Sequence, residues 1–252
     1  MHPAYQTVFE GAHVRAVCFN ADAPKLRVRL SYRRDGAVGF DTPQPQAGAV
    51  TAGYANLWVQ AAQNDYYISP DLPDLRRSLY AFCGRYADVS AVGFSMGGFG
   101  AVLLSRALRL TQAVLVSPQQ LGFPKTAPFV STDPVELAAF SQGDAAHLDG
   151  ISPDLRGIVL FDPFAGKGRD RAYARHLGRL VPGLRLLALP GGGHPATSAM
   201  VEAKQFGAFQ RATFVPEIKL ADLRAVHQAT RGGSERYEKM VLKYLSDRMK
   251  RG

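Results

Sequence analysis

Val89-Ser90-Ala91-Val92-Gly93-Phe94-Ser95-Met96-Gly97-Gly98-Phe99-Gly100 decides the reading of this chain. A short apolar run, Val89 to Val92, leads into Gly-Phe-Ser-Met-Gly, and a helix-like run from Gly98 to Leu108 follows. Strand, tight turn and helix form the setting in which G-x-S-x-G is a nucleophile elbow, with serine held at positive φ and small residues two positions to either side. Ser95 is therefore the candidate nucleophile.

Serine chemistry on such an elbow needs an acid and then a histidine, in that chain order. Gly157-Ile158-Val159-Leu160-Phe161 reads as a buried parallel strand that delivers Asp162-Pro163 at its C-terminal edge, where an open α/β sheet carries its functional groups. Asp162 is the candidate acid, although an Asp-Pro step is also an ordinary turn; Asp65, after an earlier strand, is the alternative. The run Leu184 to Leu189 is followed by Pro190-Gly191-Gly192-Gly193-His194-Pro195, a glycine loop that brings an imidazole back over the sheet edge. His194 is the candidate base.

With these residues, the chain resembles the α/β-hydrolase family. It is similar in particular to a bacterial subgroup with a G-F-S-M-G-G elbow preceded by an N-D-[WY] segment, matched here by Asn64-Asp65-Tyr66-Tyr67. The resemblance spans roughly residues 13 to 210 and lacks the histidine-glycine oxyanion motif of many lipases. It implies a mostly parallel α/β sheet flanked by helices and a Ser95-Asp162-His194 triad. The oxyanion would be held by Met96 N–H and by a second donor at Asn20 or Ala21, in the loop after the strand His13 to Asn20. Asn64, Asp65, Tyr66 and Tyr67 are expected to line the substrate pocket.

Composition bounds the alternatives. At 252 residues with no Ser/Gly/Pro-rich linker, one domain over 1–252 is expected. No stretch approaches the ~18 uninterrupted apolar residues of a membrane span, and the first residues lack a basic segment followed by an apolar core, so a soluble cytoplasmic protein is expected. Cys18 and Cys83 have no neighbouring cysteine and read as buried thiols. The six histidines show no zinc-site spacing, so neither metal nor cofactor is expected. The net charge of +9 concentrates in residues 211–252, where ten Lys/Arg face five acids. With acids interleaved and no nucleic-acid module in view, this reads as the solvated face of a docked helical tail.

Along the chain, strands are expected at His13 to Asn20, at Leu26 to Tyr32 paired with Ala37 to Phe40 around an Asp35-Gly36 hairpin, at Tyr54 to Ala61 and at Ala113 to Val116. The proline-bearing segment Thr42 to Gly48 is expected to be a loop. Helices are expected at Pro73 to Tyr86, Arg169 to Leu180, Ala196 to Phe209, Leu220 to Val226 and Glu235 to Met249. Residues 121–153 read as an irregular cap insertion over the site.

The expected activity is cleavage of an ester or related acyl bond through an acyl-Ser95 intermediate, on a small acyl ester or an acylated glycan. Two alternatives stand beside it: acyl transfer to a sugar or alcohol by the same triad, and a non-catalytic protein that keeps the fold for binding. Neither nucleic acid nor stable membrane insertion is expected, and oligomeric state is open.

Overall fold

A computed structural model describes residues 4–36, 38–119, 135 and 148–250. The chain builds one eight-stranded sheet, in the order β1-β2-β4-β3-β5-β6-β7-β8. The strands are β1 (Gln6–Glu10), β2 (Val14–Phe19), β3 (Lys25–Leu30), β4 (Tyr54–Ala61), β5 (Asp88–Phe94), β6 (Gln112–Val116), β7 (Gly157–Phe161) and β8 (Leu184–Ala188). β2 runs antiparallel to both β1 and β4, and from β4 across to β8 every pairing is parallel.

Parallel neighbours require long crossovers, and the crossovers place helices on the sheet faces. These are α1 (Ala47–Thr51), α2 (Leu72–Cys83), α3 (Met96–Leu103), α4 (Arg169–Leu180), α5 (Ser198–Glu202), α6 (Phe206–Thr213), α7 (Leu220–Ala229) and α8 (Glu235–Met249). With both faces covered, the central strands are apolar throughout; all five residues of β7 are buried. Their side chains alternate between two cores. Val159 joins Leu115 and Ala91 on one face, while Ile158 and Leu160 join Val114, Val116 and Val92 on the other. Truncating a side chain such as Leu115 to alanine at this interface costs about 2–5 kcal/mol.

The topology decides where chemistry can occur. The C-terminal ends of β3, β5, β6, β7 and β8 point to the same sheet edge, so the loops after them converge there. β2 points the other way, since Phe19 pairs with Asn56 near the start of β4. Asn20 and Ala21 therefore sit at the edge opposite Ser95, where Asn20 Nδ2 donates to Tyr54 O and Ala21 O accepts from Tyr86 Oη. The expectation that they supply an oxyanion donor is corrected on this ground.

Other departures are local. Ser31 N–H bonds Val59 O and the chain leaves the sheet there, so residues 38–40 form no strand and Asp35-Gly36 is a turn outside any hairpin. Residues 47–51, within and beyond the expected loop, form the short helix α1. Ala196 to Phe209 splits into α5 and α6, broken where Lys204 adopts φ 56°. Of the expected cap, 121–134 and 136–147 lie outside the described residues.

Candidate active site

Ser95 lies between β5 and α3 with φ 49° and ψ −120°, a backbone conformation that side chains rarely adopt and that persists only when its surroundings hold it. Its N–H bonds Val116 O at 2.9 Å, while its carbonyl accepts from Gly98 and Phe99 N–H and so starts the helix. The flanking glycines are demanded by backbone approach: a Cβ on Gly93 would lie 2.5 Å from Gly97 O, and one on Gly97 would lie 2.8 Å from Leu30 O and 2.9 Å from Ser31 O. The second contact presses the elbow against the loop that leaves β3. At the start of α3, Met96 N–H follows Ser95, where helix termini favour negative charge.

Ser95 Oγ lies 3.1 Å from His194 Nε2. The other ring nitrogen, Nδ1, lies 2.9 Å and 3.1 Å from Oδ2 and Oδ1 of Asp170, not of Asp162. Asp170 is in the first turn of α4 and is 2 % exposed, with the histidine as its partner. The chain reaches it through three successive left-handed residues, Gly166, Lys167 and Gly168, which turn the segment after β7 back toward the glycine loop.

Asp162 serves that loop differently. Its Oδ1 accepts from Phe164 N–H and its Oδ2 accepts from Gly193 N–H, each at 2.9 Å. Burial pushes its carboxyl above the usual range, opposed by these N–H groups. Asp162 thus ties the residue before His194 to the end of β7, and the carboxylate that faces the imidazole is that of Asp170, eight positions on, in place of the expected Asp162. On the other side, Ser117 Oγ accepts from Ala196 N–H at 3.0 Å, so the histidine loop is held at both ends. Gln119 was not foreseen; its Oε1 stands 3.5 Å from Ser95 Oγ, on the loop after β6.

In the segment Asn64-Asp65-Tyr66-Tyr67, Asp65, Tyr66 and Tyr67 are buried, Tyr67 completely; the Tyr66 ring packs edge-on against Phe99, and Tyr67 Oη donates to Ser31 O. Asp65 Oδ1 accepts from Tyr67 N–H, whereas Oδ2 is buried without a hydrogen bond among the described residues. Burial pushes the Asp65 carboxyl up to about 6. A folded value above the unfolded one, about 3.9, means that the native state holds the extra proton between these limits. This contribution to stability is present below about pH 4 and is lost as pH rises through about 6. Asp65→Asn keeps the acceptor for Tyr67 N–H and removes the titration. In urea unfolding it should gain on wild type by up to about 2–3 kcal/mol between pH 4 and pH 7; a difference independent of pH would contradict this reading.

The basic tail touches the glycine loop that carries His194. His227 Nε2 approaches Pro190 O at 3.2 Å, Tyr237 packs on Gly191, and the aliphatic part of Arg236 lies over Gly193. The Phe164 and Tyr244 rings pack with centroids 4.8 Å apart and planes tilted by 40°, and Ser234 Oγ caps α8 while donating to Glu202. The start of α8 is therefore a backstop for the loop that carries His194. Among the described residues no three His, Cys, Asp or Glu side chains form a metal-binding group, and no helix is long and apolar enough to cross a membrane. Burial raises the thiols of Cys18 and Cys83 to about 11 and about 12, which makes both poor nucleophiles.

The mostly parallel eight-stranded sheet flanked by helices has counterparts among solved structures. The capsule O-acetyltransferase of Neisseria meningitidis serogroup A, as a mutant in complex with CoA, superposes with a TM-score of 0.54 at 14 % identity over 77 % of this chain and 90 % of its own. MGS-M1, an α/β-hydrolase enzyme from a Medee basin deep-sea metagenome library, gives 0.52 at 12 % identity over 90 % and 98 %. The fold is that of the α/β-hydrolases. A glycosylation-associated protein complex from Streptococcus agalactiae gives 0.56 at 14 % identity over 83 % of this chain and 45 % of its counterpart. No family model matches the sequence, and no curated protein matches it.

Proposed function

We propose that this α/β-hydrolase-fold chain is a serine hydrolase that cleaves an ester or related acyl bond, with Ser95 as nucleophile, His194 as general base and acid, and Asp170 as the group that orients the imidazole. The observation that carries the reading is the continuous relay of Ser95 Oγ, His194 and Asp170, with contacts of 3.1 Å and 2.9 Å. With the buried carboxylate accepting from Nδ1–H, the lone pair of Nε2 faces the serine hydroxyl, which is the tautomer a base requires.

In the proposed reaction, Ser95 Oγ bonds to the acyl carbon as its proton passes to His194 Nε2. The tetrahedral oxyanion is held by Met96 N–H and by Tyr32 N–H, in the loop after β3. The Tyr32 N–H has no acceptor among the described residues, and the contact of Gly97 with Leu30 O and Ser31 O sets that loop against the elbow. The imidazolium then protonates the leaving alkoxide, and the acyl-serine is opened by water through the same base. Acyl transfer differs only in the last acceptor, an alcohol in place of water. Product analysis on a short-chain acyl ester, with and without an added polyol, tests the assignment: free acid as the main product supports a hydrolase, and predominant acylation of the polyol assigns a transferase. A chain that binds acyl compounds without releasing either product would contradict both.

A further inference from the structure

We propose that Asn64 and Tyr67 are positioning residues that fix the oxyanion loop against the nucleophile elbow; this rests on the reading of Tyr32 N–H as an oxyanion donor. Asn64 engages both backbone groups of Arg34: its Oδ1 accepts from Arg34 N–H at 3.0 Å and its Nδ2 donates to Arg34 O at 2.9 Å. Tyr67 Oη donates to Ser31 O at 2.8 Å and lies 3.4 Å from Val59 O. The two anchors fall immediately before and two residues after Tyr32, so the segment bearing the proposed donor is held on both sides although it belongs to no strand. The same tyrosine ring seats on the elbow helix, where a Cβ on Gly100 would approach it to 2.5 Å. One side chain thus spans the loop and the helix that supply the two donors.

The turn that presents these groups is strained. Tyr66 and Tyr67 take φ 56° and 65°, and the cost of order 1–3 kcal/mol for each is maintained by Asp65 Oδ1 on Tyr67 N–H and by full burial of the ring. Strain retained beside a site signals a geometric requirement there, and an oxyanion donor has one: it must stand about 2.7–3.1 Å from where the charge develops. A donor displaced by about 1 Å sacrifices up to about a hundredfold in rate.

The test is phosphonylation of Ser95 by a fluorophosphonate, a probe whose phosphoryl oxygen occupies the oxyanion position, measured on the full chain as a maximal rate and a half-saturating concentration. Tyr67→Phe removes one hydroxyl, and Asn64→Asp keeps the acceptor for Arg34 N–H but loses the donor to Arg34 O. Each should lower the maximal rate ten- to a hundredfold, leave half-saturation within about twofold, and leave the shape of the pH profile unchanged. Should one variant not fold, the other carries the same reading. A maximal rate per folded molecule equal to wild type, with only the melting temperature lowered, would make the pair merely structural and overturn the proposal while leaving the nucleophile intact. Failure of wild type itself to react at Ser95 would overturn the catalytic reading and the positioning roles with it.

Discussion

Asp170→Asn should lower turnover of an activated ester by about 10⁴ while leaving the fold intact, the size of loss that follows when the base is held in the wrong tautomer. The asparagine amide can donate to Nδ1, which moves the ring proton to Nε2, where it blocks removal of the Ser95 proton. Asp162→Asn should behave differently. Its carboxylate accepts two N–H groups, and an amide can accept with only one oxygen, so the loop before His194 loosens. That costs about 1–3 kcal/mol of stability and a rate loss within about a hundredfold. Parallel kinetics and thermal melts on the two variants check the assignment, and the reverse ranking would restore Asp162 as the acid.

Ser95→Ala should bring turnover down by about 10⁶, to the level left by binding and oxyanion donors alone. The melting temperature should stay close to wild type, because Ser95 bonds its surroundings through its backbone and, among the described residues, its hydroxyl reaches His194 and Gln119. Residual turnover within about tenfold of wild type would show that another group attacks the substrate.

The elbow was legible in the sequence because its requirements are local. Two glycines and a serine sit where backbone crowding and positive φ restrict the choice, and the apolar run before them matches a strand buried on both faces. The histidine loop was legible for a similar reason, its glycines lying directly after a strand. What was hidden depends on long-range geometry. The acid was sought at the end of β7, but Lys167, with nothing in its chemistry to announce φ 57°, joins Gly166 and Gly168 in a turn that brings the first residues of α4 to the imidazole instead.

Asn20 and Ala21 lie at the sheet edge opposite Ser95 because β2 runs antiparallel to both β1, the short run Gln6–Glu10, and β4, a direction that the residues of β2 alone do not encode. Asn64 to Tyr67 carried a clear signal that something was required there. The positive φ of both tyrosines, the burial of Tyr67 and its bond to Ser31 O belong to the three-dimensional fold and have no local mark in the sequence.

Activation of Ser95 by His194 and Asp170 can be measured by reacting wild type, Asp170→Asn and Asp162→Asn with a fluorophosphonate in native buffer and mapping the adduct by peptide mass. A single adduct on Ser95 is expected, formed rapidly in wild type, slowed most in Asp170→Asn and much less in Asp162→Asn. An unlabelled wild type, an adduct on another residue, or undiminished labelling of Asp170→Asn would contradict it.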